Sequence, residues 1–244
     1  MILQNINPFP FAQSGVTPEV GLLAYCECTD TAALNTWETG TGFQSNTNPT
    51  FAATDTGFGL NSNNASYSDV TTDANVKSMF VDGAFTVEYR IHYTQFSITA
   101  GVISDANISV PFHVMNTAAT IRIQDLHRAS YGGIRFLLVA NGVTITMTAS
   151  TGVDVSVNGY LTWRIVHDTS GIDGGANTCA VYVDKEAGAG FNLVASSTTA
   201  INIDLNTTAL TPTFRLGSAT NAGGTQYMRG VIDYFKTYNY AKTS

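Results

Sequence analysis

Charge is scarce in this 244-residue chain. Only 12% of the residues are Asp, Glu, Lys or Arg, and lysine occurs four times, at Lys77, Lys185, Lys236 and Lys242. The formal net charge is −7. A duplex-binding surface needs clustered basic side chains to displace counterions, so nucleic acid is not an expected partner. Like-charge blocks are missing too and the apolar fraction is an ordinary 44%, which argues against disorder. Sustained heptads are absent, excluding a coiled coil. No apolar run approaches the roughly 20 residues of a membrane span. Residues Met1 to Phe11 lack a basic n-region, an apolar h-region and a small-residue cleavage site. That predicts a non-secreted start, or a chain from which a signal has been removed. Cysteine is limited to Cys26, Cys28 and Cys179. An odd count with Cys-x-Cys spacing suits neither a disulfide framework nor a zinc site. Buried thiols are expected, with a disulfide from Cys179 to one of the others as the alternative.

Helical periodicity is also nearly absent. What recurs is short β-branched and aromatic alternation bounded by Gly, Asn, Asp and Ser. The clearest predicted strands are 85–93, 134–140, 143–149, 161–167, 180–184, 214–217 and 231–238. Asn141-Gly142 reads as a two-residue hairpin turn with positive φ at both positions, and Asn158-Gly159 as another tight turn. Residues 29–80, rich in Thr, Asn, Ser and Gly, read as long loops and short edge strands in which Phe43, Phe51, Phe58, Leu60 and Tyr67 are buried. Strands at this spacing without helices between them predict an all-β, two-sheet antiparallel jelly-roll sandwich. The expected organisation is an apolar N-terminal arm over 1–12 (Ile2, Leu3, Ile6, Phe9 and Phe11), then one sandwich domain over 13–244.

Several segments in order carry a resemblance. Gly21-Leu22-Leu23-Ala24-Tyr25 looks like an opening strand, and Phe58-Gly59-Leu60 with Ala65-Ser66-Tyr67 like the strand pair that follows it. Phe85-Thr86-Val87-Glu88-Tyr89 and Trp163-Arg164-Ile165-Val166-His167-Asp168 come next, then Val181-Tyr182-Val183-Asp184. Phe214-Arg215-Leu216-Gly217-Ser218 and 229–239 look like closing strands. Together these resemble the laminin-G-like, concanavalin A-like lectin and glucanase sandwiches over roughly residues 20–240. Lys185 stands where that family prefers a turn glycine, which implies a longer loop at this corner. The resemblance agrees with alternation: Phe85, Val87, Tyr89, Ile91 and Tyr93 share one strand face and would pack between sheets beside Trp163 and Ile165. Thr86, Glu88, Arg90 and His92 would lie on an outer, solvated face.

The fold leaves function open. Hydrolases of this fold usually carry Glu-x-Asp-x-x-Glu along one strand, a string this chain does not contain. Polysaccharide lyases of the fold are nearer, since Tyr234-Phe235-Lys236-Thr237-Tyr238 and Glu88-Tyr89-Arg90 echo their strands, but the paired Arg and the Gln-x-His motif are missing. No Gly-x-Ser-x-Gly elbow is present. His92, His113, His127 and His167 show no metal-ligand spacing and are expected as sheet-face or loop residues. Calcium is the metal the loops would suit, with Asp168, Asp173 and Asn177 as donors in one loop, or Asp69 and Asp73 in another; these residue types are equally good turn formers. For sugar binding, Trp37, Tyr131 and Tyr227 are candidate aromatic platforms, with Glu88, Arg90 and His92 on a sheet face. Arg90, Arg122 and Arg164 would form a basic stripe suited to acidic glycans if register aligns them. Sequons at Asn64, Asn107 and Asn206 carry little weight without a secretory signal. The resulting expectation is a non-catalytic surface protein, such as a phage decoration, fibre or tail component. It would touch neighbouring subunits and glycans, and homo-oligomers are common among such proteins. The alternatives are a carbohydrate-binding module of a bacterial extracellular protein and, less favoured, a lyase.

Overall fold

Alternation sets the strands and the strands build two sheets. The computed structural model describes residues 19–243 apart from 39–41, 48, 62–66, 71–72, 81–82, 96, 100–101, 104–108, 117–121, 129–132, 150–152, 157–158, 187–189, 204–211 and 219–227. The expected arm lies outside the described residues, as do Tyr131, Tyr227, Asn158 and the three sequon asparagines. In chain order the strands are β1 (Leu22–Cys26), β2 (Ser45–Thr47), β3 (Thr50–Thr54), β4 (Gly57–Asn61), β5 (Tyr67–Val70), β6 (Ala84–His92), β7 (Ile98–Thr99), β8 (Val102–Ile103) and β9 (Phe112–Asn116). They continue as β10 (Arg122–Arg128), β11 (Gly133–Ala140), β12 (Val143–Ala149), β13 (Tyr160–Asp168), β14 (Cys179–Asp184), β15 (Asn192–Ser197), β16 (Pro212–Leu216) and β17 (Val231–Tyr238).

One sheet has eight strands, ordered β15-β14-β13-β6-β17-β4-β3, with β1 added beside β17. The other has seven, ordered β12-β11-β10-β9-β16-β5-β2, and every pairing in both is antiparallel. The expected sandwich is therefore the fold. β6 and β13 pair in long register, setting Trp163 opposite Tyr89 and Ile165 opposite Val87. The inner side chains of the two sheets meet in an aromatic seam: Tyr89 against Phe112 at 5.6 Å, Phe235 against Phe214 at 4.8 Å and Trp163 against Phe136 at 5.3 Å between ring centroids. Burying each such ring contributes on the order of 1.5–3 kcal/mol. The Asn141-Gly142 hairpin has the expected geometry, with φ of 51° and 78°.

Several elements depart from the sequence reading. Two short helices, α1 (Thr31–Asn35) and α2 (Asp73–Ser78), interrupt the stretch expected to hold only loops and strands. α1 begins because Asp30 caps it, accepting a hydrogen bond from the Ala33 amide at 2.8 Å. Phe58 does not enter the core as expected: it sits at the tip of the β3–β4 hairpin and is 57% exposed. Strand β10 escaped notice because its inward positions include Asp125 and His127, which break the apolar alternation although both are fully buried. His127 and His167 are thus interior residues, not the sheet-face or loop residues expected. All three cysteines are buried and free, so the alternative Cys179 disulfide is not formed. Cys26 and Cys28 Sγ lie 3.6 Å apart, and Cys179 Sγ lies 3.5 Å from His167 Nδ1.

Candidate functional site: the two outer sheet faces

Thr86, Glu88, Arg90 and His92 of β6 do face outward, opposite Val166, Arg164, Thr162 and Tyr160 of β13. Their expected solvation is not found. Thr86, Glu88 and Arg90 are buried, because loops and the C-terminal tail fold over them. All five N–H donors of Arg90 are taken. Its Nε and Nη2 meet Glu186 at 2.5 and 2.6 Å, its Nη1 and Nη2 meet Asp55 at 2.8 Å each, and Nη1 also donates to Asp233. The guanidinium lies over the Tyr160 ring at 4.2 Å, and the His92 ring stacks against the same ring at 4.3 Å between centroids. Glu88 accepts from Arg164 Nε at 2.6 Å and from the Tyr234 hydroxyl at 3.3 Å. Arg164 in turn lies 3.5 Å over Phe191. Thr86 ties down the tail, donating to the Tyr240 carbonyl at 2.7 Å and accepting from the Lys242 amide at 2.8 Å. Lys236 reaches Glu19 at 3.4 Å, and Tyr238 donates to the same carboxylate. These contacts hold the Glu19 carboxyl below its ordinary pKa despite its burial.

This face is therefore a lattice of compensated charge. The residues that echo a lyase, Tyr234, Lys236, Glu88 and Arg90, are all engaged within it. The basic stripe expected from Arg90, Arg122 and Arg164 does not exist, since Arg122 belongs to β10 in the opposite sheet.

The outer face of the seven-stranded sheet is built differently, and the sequence reading missed it as a unit. Register places its side chains in successive rows. β12 presents Thr144, Thr146 and Thr148; β11 presents Val139, Leu137 and Arg135 opposite them. β10 follows with Arg122, Gln124 and Leu126, then β9 with Met115 and His113, β16 with Thr213 and Arg215, and β5 with Asp69 and Tyr67. Thr144 and Thr146 are exposed and Leu137, Val139 and Arg122 half-buried, whereas Gln124, His113 and Asp69 are buried. The face thus runs from open hydroxyls through an aliphatic strip to a fixed polar end. There Asp69 grips Arg215 through two bonds of 2.6 and 2.8 Å, and the guanidinium lies 3.9 Å over the Tyr67 ring. Bidentate geometry with stacking removes most of the freedom of an arginine. Burial, with Arg122 and Arg215 on either side, pushes the His113 pKa down to about 3. A sequence signal did exist, because Arg122-x-Gln124 and Thr213-x-Arg215 show polar alternation and His113 is flanked by Phe112 and Val114. Only strand order brings the three together.

The remaining candidates are dispersed. Trp37 is 6% exposed and packs edge-on against Phe43 at 4.9 Å, so its ring is a core anchor and not an open platform. In the β13–β14 loop, Asp168 accepts from the Ser170 amide and hydroxyl at 2.8 and 2.6 Å, forming a turn. Asp173 occupies a left-handed turn position at φ 52°, and the Asn177 carbonyl accepts from the Ile172 amide at 2.8 Å. Asp69 is committed to Arg215, and the Asp73 side chain lies outside the described residues. Among the described residues, no three His, Cys, Asp or Glu side chains gather at metal-ligating spacing, and no helix is long and apolar enough to cross a membrane.

Solved structures share this antiparallel sandwich. Domain 4 of a GH43 extracellular arabinanase from Geobacillus stearothermophilus, solved with arabinotriose, superposes with a TM-score of 0.59 at 14% identity, covering 91% of this chain and 94% of that one. Tailspike protein 2 from a bacteriophage of Escherichia coli O157:H7 superposes with a TM-score of 0.55 at 14% identity, over 80% of this chain and 25% of the tailspike. This chain therefore corresponds to about a quarter of that tailspike. At these identities the likeness is one of fold. No protein-family model matches the sequence, and no curated protein matches it.

Proposed function

We propose that the chain is a non-catalytic glycan-binding sandwich of a virion or other extracellular surface, and that it binds through the outer face of the seven-stranded sheet. One observation carries the reading. On that face threonine hydroxyls, aliphatic side chains and the Arg122 guanidinium occupy adjacent strands in register and remain partly open, while the opposite face spends its charges on itself. Sugars present C–H faces and hydroxyl edges together, and sites that hold them combine apolar surface with a few fixed polar groups. The fold shared with an arabinanase domain and with part of a tailspike supports the reading, as do the motifs that resemble laminin-G-like modules. In this reading the apolar residues within 1–12 anchor the module to a neighbouring subunit, and calcium, if bound, serves the loops and not the sugar.

The test is a broad glycan and polysaccharide array probed with and without a chelator. Selective binding that survives chelation and weakens at least tenfold in Thr146→Ala, an exposed position of the face, with the melting temperature kept, is expected. A folded protein that binds nothing on the array overturns the proposal.

A further inference from the structure

We propose that this face is selective for sugars bearing a carboxylate, with Arg122 as the residue that takes it. The inference rests on the glycan-binding reading and names its substrate class. It starts from charge. The chain carries a net −7, yet the described outward positions of the seven-stranded sheet hold Arg122, Arg135 and Arg215 against one carboxylate, Asp69. Asp69 is consumed by Arg215. Arg122 has no carboxylate partner among the described residues. Its Nη2 reaches only the Met115 sulfur at 3.7 Å, and its Nε is buried without a hydrogen-bond partner. Thioether sulfur is a weak acceptor, and a buried donor left unmade is costly.

The terminal Nη1 and Nη2 pair of a guanidinium is a fork that matches the two oxygens of a carboxylate. Here the fork stands beside Val139, its cross-strand neighbour, with Leu137 next along β11. Thr144 and Thr146 lie one strand further out, about 10 Å from β10 at the usual strand spacing. That order suits an acidic pyranose: carboxylate on Arg122, C–H face on the aliphatic strip, hydroxyls toward the threonines. A polyphosphate chain has no C–H face to lay on the aliphatic strip. Burial is the main cause of the low His113 pKa, and Arg122 and Arg215 push it the same way.

Titration calorimetry on the full chain tests this with four probes: oligogalacturonate, its methyl ester, sialyllactose and lactose. Dextran sulfate controls for charge alone. At least one carboxylated probe is expected to bind ten times more tightly than its neutral counterpart, with affinity falling as salt rises. Arg122→Gln should remove that preference without changing the melting temperature, and Arg122→Lys should restore only part of it. Equal binding of acid and neutral partners overturns the carboxylate inference while leaving the glycan reading intact. A preference for dextran sulfate over both acids, or an unchanged preference in Arg122→Gln, overturns it as well. Absence of binding to any glycan, here and on the array, overturns the reading beneath it.

Discussion

Asp233 reaches Arg90 because β17 carries one residue more than β6 at that point. Register runs from Ile232 opposite Ile91 directly to Tyr234 opposite Arg90, leaving Asp233 as the bulge residue. A β-bulge re-aims a side chain that strict alternation would send elsewhere. Asp233 therefore joins Asp55 and Glu186 around one guanidinium. Burial raises its pKa, and Arg90 opposes that rise. Arg90→Ala leaves three carboxylates without their cation and should destabilise the fold by about 3–5 kcal/mol. Arg90→Lys, which keeps the charge but not the fork, should fall between. Urea denaturation measures both, and a loss below about 1 kcal/mol for the alanine variant would show that the lattice is dispensable.

Trp163 supplies a second test. Its indole Nε1–H donates to the Tyr93 hydroxyl at 2.9 Å inside the core. Burial also pushes the Tyr93 pKa far up, so the phenol stays neutral. Tyr93→Phe should cost about 1–3 kcal/mol by orphaning the indole N–H. Denaturation with tryptophan fluorescence as the readout would give the cost and the change in environment together.

Acid should weaken the protein through His113. In the fold this histidine resists protonation down to a pKa of about 3, whereas the unfolded chain takes the proton near 6.5. The unfolded state thus binds more protons between those values, and stability is lost as pH falls from about 6.5 toward 3. The slope from this residue approaches 1.4 kcal/mol per pH unit. His167, also lowered by burial, acts in the same direction. Melting curves from pH 7 to 4 should show a shallower acid limb for His113→Gln than for the parent. Parallel limbs would remove His113 as the cause.

The thiols should be silent until the fold opens. Cys26, Cys28 and Cys179 are buried, and burial raises the Cys179 pKa to about 11, leaving little nucleophilic thiolate. A chromogenic disulfide reagent is expected to titrate no thiol in the native protein and three in denaturant. Fast native labelling would contradict this burial.

The long strands were legible because their physics is local. Val231–Tyr238, Val143–Ala149 and the Asn141-Gly142 turn appear in the structure as read, and the β6 and β13 boundaries moved by a residue. β10 was not legible, since Asp125 and His127 point into the core. Their side chains lie 2.9 Å apart there, and burial pushes the Asp125 carboxyl pKa up. Polar residues placed side by side inside a sheet erase the pattern by which strands are found.

The sequence by itself determined the fold class, the inward face of β6 with Trp163 and Ile165 as its partners, and the scarcity of charge. Tertiary structure decided which charged groups meet. Glu88, Arg90 and His92 looked like an open polar face, but Asp55, Glu186, Phe191 and the tail close over it from remote positions. Arg122, His113 and Arg215, scattered over more than ninety residues of chain, become neighbours because β10, β9 and β16 lie side by side. Alternation is a property of neighbours in sequence. Strand order depends on long-range pairing, and only that pairing decides which charges meet on each face.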